Sequence, residues 1–184
     1  DVIGMARAAL ADPEYPNKLK EGRIDEINHC VGCLQGCIQA MTNGDVLRCL
    51  VNPVVGRETE LKNISKAEKI KKVYIAGGGI SGCEAAIVAA SRGHYVTIFE
   101  KESDLGGQWR AAMTAVGKTE FGSFLMWQKQ MLNKLNVEIR MKTELTKEIV
   151  QQEQPDGVLV ATGGSPIIEV LENNTKINIV SALE

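Results

Sequence analysis

The sequence predicts an α/β fold, in which a parallel sheet covered by helices follows a short cysteine-rich segment. Strand-like and helix-like segments alternate along residues 71–164, the order that builds a parallel sheet with helical crossovers. A Gly-x-Gly-x-x-Gly pattern stands where the first of these strands meets the first helix. Upstream, four of the five cysteines fall within residues 30–49. These three observations divide the chain into two regions that carry different chemistry.

The elements of the sheet are expected to follow one another from residue 71. Strands are predicted in KKVYIAGG (71–78), HYVTIFE (94–100), VEIRMK (137–142) and DGVLVATGG (156–164). Helices are predicted at 81–92, at 119–136, where apolar residues recur at helical spacing, and at 146–154.

The residues upstream of the sheet show weaker patterns. Residues 1–28 begin with the apolar run DVIGM, and Asp12-Pro13 predicts a helix start with Asp12 as N-cap and Pro13 in the first helical position. Residues 58–72 are charged and nearly devoid of large apolar side chains, which predicts an exposed connector.

Composition excludes several classes of function. The 184 residues are 44% hydrophobic and 24% charged with a net charge of −2, so neither nucleic acid nor an anionic membrane is an expected partner. No apolar run approaches the roughly 20 residues that a membrane crossing needs, and no export signal is present. We expect a cytoplasmic protein, in which clustered cysteines are more often metal ligands or redox groups than disulfides. Because the chain begins with Asp1, we expect a piece of a longer polypeptide.

The glycine-rich turn predicts a dinucleotide site. Gly77 permits a tight turn, Gly79 lets the backbone approach a pyrophosphate, and Gly82 lets the helix pack close to the sheet. The helix N-terminus then faces the phosphates. Glu100, at the end of the next strand, is placed to accept hydrogen bonds from both ribose hydroxyls and to repel a 2′-phosphate. The site therefore suits FAD, NAD or ADP rather than NADP.

Two further glycine-containing segments stand where loops should pass a bound dinucleotide. Residues 105–109 (LGGQW) follow Glu100 directly, and residues 161–164 (ATGG) end the last predicted strand. Both segments suit a long dinucleotide such as FAD, although ordinary turns have the same composition. Spacing alone leaves FAD and NAD both open.

The clustered cysteines predict an iron–sulfur site. Three thiolates from one compact segment and a fourth from the return of a loop suit a [4Fe–4S] cluster. Zinc is the alternative, but it prefers two Cys-x-x-Cys pairs or added histidine, which only His29 could supply. Structural thiols are a third possibility, and Cys83, in the predicted helix 81–92, is expected to be buried. The spacing is Cys30-x2-Cys33-x3-Cys37-x11-Cys49.

The order of several segments resembles a known family, the 2,4-dienoyl-CoA reductase and enoate reductase group of NADH:flavin oxidoreductases, which is related to old yellow enzyme. The segments are IGMARAALADPEYPNKLKEGRIDEINHCVGCLQGCI, RCLVNP, AGGGISG, RGHYVTIFEKESDLGGQW and VLVATGG. The resemblance implies a barrel that binds FMN, a [4Fe–4S] segment, and a module that binds FAD and NAD(P)H. It also implies that electrons pass from NAD(P)H through FAD and the cluster to FMN, which reduces an activated C=C bond of a small-molecule substrate.

The resemblance implies a role for particular positions. The expected regions are the tail of the FMN barrel with its last strand and helix (1–28), the cluster segment (29–57), a connector (58–70) and an incomplete, Rossmann-like FAD-binding domain (71–184). The expected cluster ligands are Cys30, Cys33, Cys37 and Cys49. The expected FAD contacts are Gly77, Gly79, Gly82, Glu100, Gly107 and Gln108, and the expected FMN phosphate contacts are Ala6 and Arg7. No catalytic residue is assigned, because the substrate pocket belongs to the rest of the polypeptide. The chain ends at INIVSALE, where the family enters its nicotinamide domain, and we expect it to be inactive alone.

Two other interpretations stay open. Trimethylamine and histamine dehydrogenases belong to the same family and hold ADP in the second nucleotide site, but the x3 and x11 cysteine spacings favour a reductase. A module without catalytic activity that binds metal and nucleotide is a different class. The sequence does not name the substrate or distinguish NADH from NADPH.

Overall fold

The structure is a computed structural model that describes residues 2–61 and 65–165. Residues 62–64 of the predicted connector and the end of the predicted FAD-binding domain, including INIVSALE, lie outside the described residues.

All four predicted strands are present and form one parallel sheet. Its order is β3-β2-β1-β4, and in its centre Ile98 of β2 pairs with Ile75 of β1 and with Ile139 of β3. The predicted α/β fold class is therefore confirmed. The strands are β1 (Lys72–Ala76), β2 (Tyr95–Glu100), β3 (Glu138–Met141) and β4 (Gly157–Val160).

The predicted helices connect these strands, and a further short helix follows β2. The main core lies between the sheet and two of the helices, where Ile75, Ile98, Cys83 and Leu132 have no exposed surface. Burial of Cys83 is thus confirmed. The helices of this region are α5 (Ile80–Ser91), α6 (Gln108–Thr114), α7 (Phe121–Lys134) and α8 (Lys147–Glu153).

The N-terminal residues form short helices separated by loops. The elements are α1 (Arg7–Ala11), α2 (Tyr15–Lys20), a 3-10 helix (Ile24–Glu26), α3 (Ile38–Asn43) and α4 (Glu58–Leu61). Residues 2–28 contain no strand, so the last barrel strand expected in this region is not formed, and a strand there would have no neighbouring strand to pair with.

The helix start predicted at Asp12-Pro13 is wrong by two residues. α2 begins at Tyr15 with Glu14 as N-cap. Asp12 instead ends α1. One carboxylate oxygen accepts a hydrogen bond from Glu14 N at 3.0 Å, and the other accepts from Asn28 N at 2.9 Å. The long-range partner holds Asp12 between the two helices, which sequence periodicity does not reveal.

The N-terminal segment packs against α7. Trp127 Nε1 donates a hydrogen bond to the carbonyl oxygen of Glu26 at 2.9 Å. A second buried cluster, called here the bridging cluster, joins the segment to the sheet region. It consists of Ala11, Val31, Val51, Phe121 and Phe124.

The connector runs past the end of α5, where Ala67 N donates to the carbonyl oxygen of Arg92 at 2.9 Å. Most of its described residues are exposed, as predicted. Among the helices of residues 2–61 and 65–165, none has the length and apolar character that a membrane crossing requires.

Candidate functional site

The turn between β1 and α5 contains glycine where backbone atoms occupy the space of a side chain. Gly77 has a φ of 103°, and a Cβ there would lie 2.4 Å from the carbonyl oxygen of Ala161. A Cβ on Gly82 would lie 2.0 Å from the carbonyl oxygen of Gly77. Glycine alone fits both positions, so the turn is tight and α5 begins close to the sheet.

Gly79 faces open space at the N-terminus of α5. No atom lies within 4 Å of the position that its Cβ would take, and no side chain caps the helix there. α5 is 12 residues long, and its first backbone amides form the positive end of the helix dipole. This arrangement is suited to bind a phosphate or diphosphate group.

Glu100 is buried at the end of β2, and two backbone amides orient its carboxylate. Gly78 N donates to Oε2 at 2.7 Å, and Glu102 N donates to Oε1 at 2.9 Å. Because each carboxylate oxygen has two acceptor positions, both can accept one more hydrogen bond. A buried carboxylate with this spare capacity suits a ligand with paired hydroxyls, such as a ribose.

The loops after β2 and β4 meet beside the glycine turn. Gly106 and Gly107 have positive φ angles of 109° and 50°, and a Cβ on Gly107 would lie 3.3 Å from the Cα of Gly79. Gln108 Nε2 donates to the carbonyl oxygen of Gly164 at 2.7 Å. The two glycine-containing segments singled out in the sequence are therefore adjacent.

These loops and the turn enclose a cleft at the carboxyl edge of the sheet. Its volume is about 700 Å³, within the usual range of cofactor sites. The acidic residues in its lining include Glu100, Glu102 and Glu144, and the basic ones include Lys101 and Arg110. Arg110 Nε is buried and has no hydrogen-bond partner among the described residues. Arg110 thus brings positive charge to the lining of the cleft, which favours an anionic ligand.

A second pocket, called here the thiol pocket, lies in the N-terminal segment. All four clustered cysteines line it as partly buried free thiols, together with the guanidinium-bearing residues Arg7 and Arg48. The cysteines are Cys30, Cys33, Cys37 and Cys49.

Gly36 brings the two ends of the cysteine segment together. Arg48 N donates to the carbonyl oxygen of Gly36 at 2.7 Å, and a Cβ on Gly36 would lie 2.5 Å from the carbonyl oxygen of Arg48. The backbone before Cys49 therefore runs directly against the backbone before Cys37.

Cys49 is a partly buried member of the thiol pocket. Burial raises the pKa of its thiol, the backbone amides of Val51 and Asn52 lower that pKa, and the nearby Cys30 and Cys33 raise it further. The amides thus act in the direction that stabilises a thiolate, as hydrogen bonds to metal-bound sulfur do.

The four thiols of the thiol pocket are the right kind of ligand for an iron–sulfur cluster, but their side chains are not positioned to hold one. The thiols converge on a space of about 20 Å³, roughly the room that one water molecule needs. Within residues 2–61 and 65–165, no group of three or more His, Cys, Asp or Glu side chains is arranged to hold a metal ion. Four thiols without carboxylate neighbours in the pocket lining are nevertheless the ligands that iron–sulfur clusters use, and the side chains would have to rearrange to hold one.

Comparison with known proteins identifies the family. A family model described as FAD dependent oxidoreductase matches residues 72–172. This chain belongs to the FAD-dependent oxidoreductase family. The match covers the sheet, the glycine turn and the cleft.

Two curated relatives of this FAD-dependent oxidoreductase extend over nearly the whole chain. An NADH oxidase from Thermoanaerobacter brockii is 40% identical over 97% of the chain. A cinnamate reductase from Clostridium sporogenes is 41% identical over 96% of the chain. The chain spans 28% and 26% of the lengths of these relatives, so it corresponds to about a quarter of each.

Solved structures show the same relationship. A 2-naphthoyl-CoA reductase matches with a TM-score of 0.88 and 37% identity, over 91% of this chain and 26% of that one. A histamine dehydrogenase from Rhizobium sp. 4-9 matches with a TM-score of 0.80 and 32% identity, over 88% of this chain and 24% of that one. The predicted relationship to the 2,4-dienoyl-CoA reductase and enoate reductase group is confirmed.

The structure of this oxidoreductase separates the predicted site residues into three places. Five of the predicted FAD contacts line the cleft, whereas Gly82 lies behind the turn. The four predicted cluster ligands line the thiol pocket. Ala6 and Arg7 lie at the start of α1, away from the cleft, and Arg7 lines the thiol pocket. The five cleft residues are Gly77, Gly79, Glu100, Gly107 and Gln108.

Sequence reasoning missed residues whose contacts are made across the fold. Trp109 and Arg110 line the cleft; Trp109 lay in the predicted cofactor loop 105–109 without a role of its own, and Arg110 was not singled out. Asn28 is buried and donates from Nδ2 to the carbonyl oxygen of Val51 at 2.6 Å. It thereby fixes the return of the chain after Cys49, and no sequence pattern indicated it.

Proposed function

We propose that this chain is the electron-transfer part of a longer NAD(P)H-dependent flavin and iron–sulfur oxidoreductase. FAD binds in the cleft, and a [4Fe–4S] cluster binds to the thiols of the thiol pocket. Electrons pass from NAD(P)H through FAD and the cluster to FMN elsewhere in the polypeptide. The complete enzyme reduces an activated C=C bond of an enoyl or dienoyl substrate.

The observation that carries this proposal is the shared wall between the two sites. Phe121 and Phe124 of α7 belong to the bridging cluster, against which Cys30, Cys33 and Cys49 pack. Side chains of the cleft pack against the same cluster. A flavin site and a four-thiol site that share a wall are suited to exchange electrons.

The cleft residues account for FAD binding in chemical terms. The amides at the start of α5 and the bare backbone of Gly79 receive the diphosphate. Glu100 accepts hydrogen bonds from the adenosine ribose, and Arg110 supplies positive charge. FAD, when bound, accepts two electrons together and releases them singly.

The thiol pocket favours a cluster over zinc. Zinc sites typically use two Cys-x-x-Cys pairs or added histidine, whereas this pocket is lined by four cysteines with one Cys-x-x-Cys pair and no histidine. Ala6 and Arg7 are proposed to contact the FMN phosphate of a neighbouring barrel, where the guanidinium would act as a charge-assisted clamp. We also propose a cytoplasmic location, because free thiols persist in a reducing compartment.

Visible absorption of the full-length protein, prepared without oxygen, tests this assignment. Flavin bands together with the broad absorption of an iron–sulfur cluster are expected. Cys37→Ser should remove the cluster absorption and leave FAD bound, whereas Cys83→Ala, outside the pocket, should retain both. A colourless metal site, or a cluster that survives Cys37→Ser, would contradict the ligand assignment. Residues 1–184 alone should not reduce an enoyl substrate with NADH.

An amine dehydrogenase is the second candidate, favoured by the match to histamine dehydrogenase. The two candidates differ in the nucleotide of the cleft and in the electron source. We expect the full-length protein to release FAD on denaturation and to be reduced by NADH or NADPH. Release of ADP and reduction by an amine would establish the second candidate.

A further inference from the structure

Trp109 belongs both to the cleft and to the packing around the bridging cluster. It is the second residue of α6 and lines the cleft. Its side chain also packs against the bridging cluster, and Cys30, Cys33 and Cys49 pack against the same cluster. Among the described residues, only Trp109 and Ile80 both line the cleft and pack against this cluster, and only Trp109 is aromatic.

The contacts around Trp109 form a continuous aromatic layer. Its ring centroid lies 4.7 Å from that of Phe121 and 5.5 Å from that of Phe124. Phe121 is 8% exposed and Phe124 is 2% exposed, so water has almost no access to these two rings. The part of the wall that they form is therefore shielded from water.

A hydrogen bond fixes the orientation of the indole. Trp109 Nε1 donates to the carbonyl oxygen of Phe121 at 2.7 Å. This bond satisfies the only polar atom of the side chain. The ring thus holds one position relative to both sites.

We propose that Trp109 is the contact through which electrons cross from FAD to the iron–sulfur cluster, an inference that rests on the proposed function. In each step one electron leaves reduced FAD and reduces the cluster by one electron. Two such steps return FAD to its oxidised form, its two protons go to water, and the cluster passes each electron on to FMN. Trp109 is itself neither oxidised nor reduced. Its role is to place an aromatic ring, rather than solvent, in the space between FAD and the cluster.

The test compares variants of the full-length enzyme in single-turnover experiments. FAD is reduced with NAD(P)H, and the rate of cluster reduction is followed by its visible absorption. Trp109→Leu and Trp109→Met should slow this transfer several-fold, because they remove the ring but keep much of the volume. Trp109→Phe should remain close to the wild-type rate. Trp127→Phe is the matched control, because Trp127 packs against the same cluster but does not line the cleft.

Cofactor content and the reduction potentials of FAD and the cluster are measured on every variant. We expect the cofactor content and the two reduction potentials to stay at wild-type values while electron transfer from FAD to the cluster slows. Wild-type rates in the Leu and Met variants would overturn it. Loss of FAD or iron from both aliphatic variants, or a rate that merely follows a shifted potential, would show a structural role and overturn it too. Failure of the proposed function is distinct, because the wild-type enzyme itself would then lack the cluster or the transfer.

Discussion

Gly82→Ala should weaken FAD binding even though Gly82 does not line the cleft. The added Cβ would lie 2.0 Å from the carbonyl oxygen of Gly77 and 3.1 Å from its carbonyl carbon, whereas ordinary contact begins at 3.4 Å. The start of α5 must therefore move outward by more than 1 Å. Because the obstructing atom is backbone, no side-chain rotation can relieve the contact.

The expected magnitude follows from this overlap. Forcing an extra methyl group into a closely packed site costs about 1–3 kcal/mol. If the strain is expressed at the phosphate-binding turn, FAD affinity falls by about 5- to 150-fold. The midpoint of thermal unfolding of the FAD-free protein should fall as well, because the same contact holds α5 against β1.

The assay is a titration of FAD-free, full-length protein with FAD, followed by flavin fluorescence. Gly122→Ala is the matched control, since Gly122 lies inside α7 with no atom within 4 Å of its Cβ position, and alanine favours helix there. Gly79→Ala provides a contrast, because its methyl group enters only the cleft and should weaken FAD binding without lowering the unfolding midpoint. Wild-type affinity and stability in Gly82→Ala would refute the close approach of helix and turn.

Three further predictions concern other parts of the chain. Gly36→Ala should lower the iron content while FAD stays bound, because its Cβ would meet the Arg48 backbone; Gly4→Ala, in open space, should retain iron. Arg110→Met should weaken FAD binding about tenfold or more, the loss of a charge-assisted hydrogen bond of about 1.5–3 kcal/mol, and Lys101→Met should have a smaller effect in the same titration. Burial raises the pKa of Cys83 from 9.0 to about 12, so it should resist alkylation at pH 9 until the protein unfolds, as peptide mass spectrometry can measure. The stability linked to this thiol is complete below pH 9 and is lost as pH rises towards 12, and rapid alkylation in the folded state would contradict the burial.

The glycine turn shows how much of the site is local. Gly77 and Gly82 have to be glycine because of contacts within or beside one strand–turn–helix unit, and such units leave a pattern of fixed spacing. The apolar patterns that predict the neighbouring strands are equally local, since alternating or continuous apolar residues follow from the pleat of the sheet. These features could therefore be predicted.

Asp12 and Trp109 show where local patterns stop. The carboxylate of Asp12 accepts a hydrogen bond from Asn28, 16 residues away, and this long-range contact displaces the predicted helix start. Trp109 acquires its position from Phe121 and Phe124 of a different helix. Neither contact has a fixed spacing along the chain, because intervening loops can vary without changing it.

Residue type and spacing were enough to place a tight glycine turn between strand and helix, a carboxylate at the next strand end and a compact segment with four cysteines. They did not show that the cleft and the thiol pocket share a wall, that Arg110 lies in the cleft, or that Gly36 joins the two ends of the cysteine segment. Packing between distant segments decides those relations. This packing depends on the shape of surfaces that exist only after the helices and strands have assembled. It therefore produces no recurring spacing in the sequence from which it could be predicted.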